Sequence, residues 1–92
     1  AFKSVVLLEF PRPGFLAVGF LTGHIQDRDG RKYCKLFIPT SPNPTTGFFE
    51  IVPVEAVRPT SISVEDAFKM IISGGLVSAD IFGSLQGSQL EG

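Results

Sequence analysis

Phe15-Leu16-Ala17-Val18-Gly19-Phe20-Leu21-Thr22, then Gln26-Asp27-Arg28-Asp29-Gly30-Arg31, then Lys32-Tyr33-Cys34-Lys35-Leu36-Phe37-Ile38 is the stretch that decides the fold. The first run reads as a strand apolar on both faces, which places it at the centre of a sheet or in the wall of a small barrel. Gly19 in its middle predicts a bend or a close backbone approach. The polar stretch is a turn, and Asp29-Gly30 is the strongest short hairpin signal in the chain. The third run alternates, with Cys34, Leu36 and Ile38 on one face and Tyr33, Lys35 and Phe37 on the other. Together the three runs predict an antiparallel hairpin.

Working outward, Ser4 to Phe10 is a further strand, because Val5-Val6-Leu7-Leu8 is too short an apolar run for a helix and is half β-branched. Pro11-Arg12-Pro13-Gly14 ends it, since two prolines remove backbone donors and Gly14 permits a tight turn. On the other side, Pro39 to Gly47 holds three prolines with Thr40, Ser41, Asn43, Thr45 and Thr46, which predicts a stiff, extended loop. Phe48 to Val52 is the fourth strand. Pro53 to Val57 suits one helical turn, and Arg58-Pro59-Thr60 a short edge strand, because Pro59 has no amide for a central ladder.

Ser63-Val64-Glu65-Asp66 reads as a helix start, with the Ser hydroxyl placed to accept from the third helical amide and acids near the positive helix end. Val64, Ala67, Phe68, Ile71 and Ile72 form one apolar stripe, and Gly74-Gly75 supplies the left-handed cap. Leu76-Val77 and Ile81-Phe82 are expected to dock locally. Residues 83–92 read as a flexible tail. The expectation is an α+β, mostly β domain over residues 1–82: a curved antiparallel sheet or small barrel of about five strands with one packed amphipathic helix.

Composition narrows the function. The chain has 92 residues, 43% of them hydrophobic, with nine Phe and a net charge of −1. That is enough apolar surface for one core and argues against disorder. Lys and Arg are scattered, so no basic stripe for nucleic acid is present. The single cysteine, Cys34, cannot form an intrachain disulfide and favours a reducing compartment. No apolar run is long enough to span a membrane. The chain opens at Ala1-Phe2-Lys3, almost inside a strand and without an initiator methionine, which suggests a piece of a longer protein.

No catalytic constellation is legible. His24 has no neighbouring ligands at metal spacing, and Cys34 on an alternating strand reads as a small core residue. Glu65 and Asp66 are explained by the helix start, Asp27 and Asp29 by the turn. No cofactor is implied, because Gly74-Gly75 follows a helix where a phosphate cradle would precede one. The candidate binding residues are Thr40, Ser41, Asn43, Thr45 and Thr46: a preorganised loop loses less entropy on binding. A rigid structural crossover is the plainer reading of the same loop.

Several segments in order resemble the COV-like (continuous vascular ring) family, numbered 502 among domains of unknown function. They are Phe2 to Gly14, Gly19 to Gly23, Phe37 to Phe48, Val52 to Val57 and Ser63 to Gly75, with the loop Pro-Thr-x-Pro-Asn-Pro-Thr-x-Gly and the helix ending Ile-Ile-Ser-Gly-Gly as the most unusual elements. The chain departs mildly at Ser41, Thr46 and Val54, where the family often has Thr, Ser and Arg. The resemblance implies an integral membrane protein with spans outside this chain and a water-exposed domain. Two spans with an inside amino terminus would put that domain on the cytoplasmic side. It brings no enzymatic activity, cofactor or catalytic residue. The leading expectation is a non-enzymatic domain that self-associates or binds a protein partner. The alternative is an enzymatic or small-ligand-binding domain using the Pro39–Gly47 loop with Glu9 or Arg12. Direct lipid contact through Phe48-Phe49 ranks last, because net charge gives no electrostatic help.

Overall fold

The computed structural model describes residues 2–78. Five strands, β1 (Ser4–Glu9), β2 (Leu16–Gln26), β3 (Lys32–Pro39), β4 (Gly47–Pro53) and β5 (Arg58–Pro59), form one antiparallel sheet in the order β4-β3-β2-β1-β5. A 3-10 turn spans Val54–Ala56 and one helix, α1, spans Val64–Ile72. The expected α+β, mostly β architecture is present, and of the two forms expected it is the unclosed sheet, since β4 and β5 do not pair.

The connection from β4 to β5 explains the curvature. These strands are opposite edges of the sheet yet are joined by residues 54–57 alone. Four strand spacings across a flat sheet would separate the edges by roughly 19 Å. A link containing a 3-10 turn, at about 2 Å rise per residue, falls short of that. The sheet therefore curls, and the link crosses its concave face. Val6, Leu8, Cys34, Leu36 and Ile38 are buried on that face, with Val54 and Val57 of the link packed against them. Gly19 belongs here: a Cβ on it would lie 3.3 Å from Leu8 Cδ2, the close approach that the sequence predicted.

The convex face carries α1. Val5, Phe20, Ala67 and Ile71 form the buried centre, with Val64 and Phe68 packed around them. Phe20 is fully buried, and its ring stacks on Phe2 at 4.6 Å and on Phe68 at 5.1 Å between centroids. Burying a side chain of this size contributes about 1.5–3 kcal/mol. The helix begins as predicted, with Ser63 Oγ accepting from the Asp66 amide at 3.0 Å. It ends in a Schellman turn: Gly75 N donates to Met70 O and Gly74 N to Ile71 O, both glycines at positive φ.

Three expectations are corrected. Ile72 is 57% exposed and does not join the stripe, because position i+8 has rotated off the face centred on Ala67 and Ile71. Leu76 and Val77 do not dock; Leu76 is 93% exposed. The two-glycine turn, and the Val77 amide held by Ser73 Oγ at 2.9 Å, keep this segment off the sheet. β2 continues past Thr22 to Gln26 through an irregularity between Leu21 and Gly23, because β3 supplies ladder partners as far as Lys32. The expected docking of Ile81-Phe82 and the tail at 83–92 lie outside the described residues.

The hairpin between β2 and β3 closes on Asp27. Its Oδ1 accepts from the amides of Asp29 and Arg31, both at 2.9 Å, and Oδ2 from the Tyr33 hydroxyl at 3.3 Å. Gly30 takes the positive φ that the turn needs.

Candidate functional site

The Pro39–Gly47 loop sits beside α1 on the convex side. Its polar groups bond to one another, although Ser41, Asn43, Thr45 and Thr46 are exposed. Thr40 N donates to Thr46 O at 2.8 Å, and the Thr40 hydroxyl donates to Asn43 O at 2.9 Å while meeting the Thr46 hydroxyl. Asn43 Oδ1 accepts from both the amide and the hydroxyl of Thr45, at 3.1 and 2.6 Å. Thr46 Oγ1 donates to Asn43 O at 3.2 Å. Ser41 reaches further and donates to the Ile71 carbonyl of α1 at 2.7 Å. Gly47 ends the loop for a steric reason, since a Cβ there would lie 2.2 Å from Ile38 O.

The structure thus brings the five candidate residues together, with every candidate hydroxyl donating within the protein. What the loop presents outward is a fixed shape. Two apolar hollows flank it. One, of about 390 Å³, lies between Leu7, Leu16 and Val18 of the sheet and Met70 and Ile71 of α1, with Ser41 on its rim. The other, of about 480 Å³, is lined by Phe2, Phe37, Phe49 and Phe68 with Pro44 and Thr45 of the loop.

Glu9 and Arg12 lie elsewhere. With Glu55 and Arg58 they line a cleft of about 400 Å³ that none of the five loop residues lines. Glu9 Oε2 accepts from the Gly14 amide at 3.2 Å, and the Arg12 guanidinium stands 5.0 Å from the centre of the Phe15 ring. The loop and these charges therefore do not converge on one cleft. The Cys34 thiol is buried on the concave face, and desolvation raises its pKa above the ordinary thiol value, which suppresses the reactive thiolate. His24 is exposed on β2 opposite Cys34. Among the described residues no three His, Cys, Asp or Glu side chains group as metal ligands.

Sequence reading placed β4, as Phe48 to Val52, but not its position in the sheet. This strand is an edge, paired only with β3, and Phe48, Phe49 and Ile51 on it are exposed, Phe49 by 63%. The Phe48-Phe49 doublet was visible; that its strand has no neighbour on the outer side among the described residues was not. No helix among the described residues is long and apolar enough to cross a membrane.

These features define a small α+β domain built on a curled, unclosed sheet, with a self-bonded proline loop fastened to the end of its helix. The family model described as "Protein of unknown function (DUF502)" matches residues 1–46, half of the chain, and the chain belongs to that family. It is similar to "Protein LIKE COV 3" of Arabidopsis thaliana, 32% identical over 79 residues, covering 83% of this chain and 28% of that protein. It is also similar to "Protein LIKE COV 2" of the same plant, 27% identical over 84 residues, covering 88% of this chain and 32% of that protein. The chain thus spans about a third or less of these curated relatives. No solved structure matches it.

Proposed function

We propose that this chain is a water-exposed, non-enzymatic domain of an integral membrane protein that assembles with itself or with a protein partner. The observation that carries the assembly reading is the outer edge of β4, unpaired among the described residues and flanked by exposed Phe49 and Ile51. An edge strand offers a row of free backbone donors and acceptors to a further strand, and exposed aromatic area adds affinity. Phe49 also walls the hollow that holds Pro44 and Thr45, so a partner's apolar side chain would be gripped between the strand and the rigid loop. Recognition by the loop is then by shape. The membrane part rests on family membership and the spans that the resemblance implies outside this chain; the free thiol of Cys34 favours the cytoplasmic side.

Light scattering of the 92-residue chain across concentration tests the reading, alongside the Phe49→Lys and Ile51→Lys variants checked for folding by circular dichroism. A defined oligomer that both variants convert to monomer is expected. A wild-type chain that is monomeric at every concentration removes self-assembly by this domain and leaves only a protein partner.

A further inference from the structure

The domain is amphiphilic along its strands. β2 is 11 residues long, so its two ends stand roughly 35 Å apart. At one end is the β2–β3 turn, where Asp27, Arg28, Asp29, Arg31 and Lys32 are all exposed. At the other end three elements meet: the Pro11–Gly14 turn, the Pro39–Gly47 loop and, through the Ser41–Ile71 bond, the end of α1. Phe15, Leu16, Phe48, Leu76 and Val77 are exposed there. They are neighbours: Phe48 packs on Phe10 at 5.5 Å, the Phe10 amide bonds the Phe15 carbonyl, and Leu16 shares a hollow with Gly74 and Gly75, which lead into Leu76.

The backbone at this end is prepared for a medium poor in water. Pro11, Pro13, Pro42 and Pro44 have no amide hydrogen to desolvate. Phe10 N, Gly14 N and Phe15 N are bonded within the first turn, and Thr40 N, Thr45 N and Thr46 N within the loop. The loop hydroxyls donate within the protein as well. An unbonded amide carried into a low-dielectric layer costs several kcal/mol; among the described residues these turns leave the Arg12, Ser41 and Asn43 amides without a protein partner, for the water and phosphates of an interfacial layer to meet. A strand-pairing protein partner would use a continuous row of free donors, which the outer edge of β4 offers and these two turns do not. Arg12, lying against the Phe15 ring, places one cation beside the apolar tip, while the Glu9 carboxylate of the same turn is engaged by the Gly14 amide.

We propose that this end of the domain seats in the interfacial layer of a phospholipid bilayer, with Phe15, Leu16 and Phe48 among the acyl chains and Arg12 on a lipid phosphate. The charged 27–32 turn then points away from the membrane. This seat shares only Phe48, at the start of β4, with the assembly edge, whose flanking residues are Phe49 and Ile51, and does not depend on it.

The protein has no tryptophan, so single introduced reporters are clean. Phe15→Trp and, at the far end, Arg28→Trp are mixed with phosphatidylcholine vesicles, with or without phosphatidylglycerol, some carrying brominated acyl chains. Bromine quenching of the Phe15→Trp emission with a blue shift, and none for Arg28→Trp, is the expected result. In co-sedimentation, the double variant F15S/L16S should partition roughly tenfold or more weakly than wild type. Phe49→Lys should partition as wild type does. An unquenched Phe15→Trp, equal quenching at both ends, or sedimentation of F15S/L16S equal to wild type overturns the proposal. So does loss of an oligomer, with no vesicle binding, on F15S/L16S substitution, which would make a second copy the occupant.

Discussion

The Ser41 hydroxyl donates to the carbonyl oxygen of Ile71 across 2.7 Å, joining the proline loop to the last turn of α1 over 30 residues of sequence. Carbonyls at a helix end lack intrahelical partners. Ile71 O receives Gly74 N and the Ser41 hydroxyl, and Met70 O receives Gly75 N and the Ser73 hydroxyl. The bond therefore completes a helix terminus and at the same time fixes where the loop stands against it.

Ser41→Ala is expected to lower stability by about 1 kcal/mol, the net worth of one hydrogen bond in a partly buried site. Ser41→Thr keeps the hydroxyl and should recover most of the loss. Urea melts of the three proteins decide it; equal midpoints for wild type and Ser41→Ala would show the bond to be energetically idle.

Gly47→Ala is expected to cost about 1–3 kcal/mol, as overpacking does elsewhere. The added Cβ would fall 2.2 Å from Ile38 O and 2.9 Å from Phe37 Cζ, and the backbone carbonyl has no rotamer with which to yield. β4 would have to shift at its first residue. A thermal melt unchanged by the substitution would show that the approach relaxes freely.

Asp27 carries a pH dependence. The Arg31 amide is the chief cause that holds its carboxyl below the ordinary carboxylate value; desolvation opposes it, and the Asp29 amide, the Tyr33 hydroxyl and the Arg31 charge add to the lowering. A group whose folded pKa is depressed stabilises the fold above its unfolded pKa and loses that contribution as pH falls through the folded value. The wild-type urea midpoint should fall on acidification below about pH 4. Asp27→Asn should be less stable at neutral pH and flatter through the acid window. Parallel acid profiles for the two proteins would contradict this assignment.

Much of the fold was legible because it is local. The Asp27–Gly30 turn closes within a few residues, the Ser63 cap reaches Asp66 three residues on, and alternation along Lys32–Ile38 separates Cys34, Leu36 and Ile38 from Phe37. The candidate site was legible as a stiff polar loop, but not the direction of its hydroxyls. Pattern gives a Thr or Asn its bonding capacity; whether the partner is a ligand or the next turn of the loop depends on how the chain closes over Thr40 and Asn43.

By itself the sequence determined the turns, the caps, the apolar runs and the proline loop, since each depends on backbone preferences and neighbours a few positions away. Only the tertiary structure decided that the sheet curls, that β4 is an edge, that Ser41 meets Ile71, and that Leu76 and Val77 stay exposed. Those outcomes depend on contacts between residues far apart in the chain. Their free energy comes from covering one face with another, and no local pattern records which surfaces remain uncovered once the two faces of the sheet have been filled.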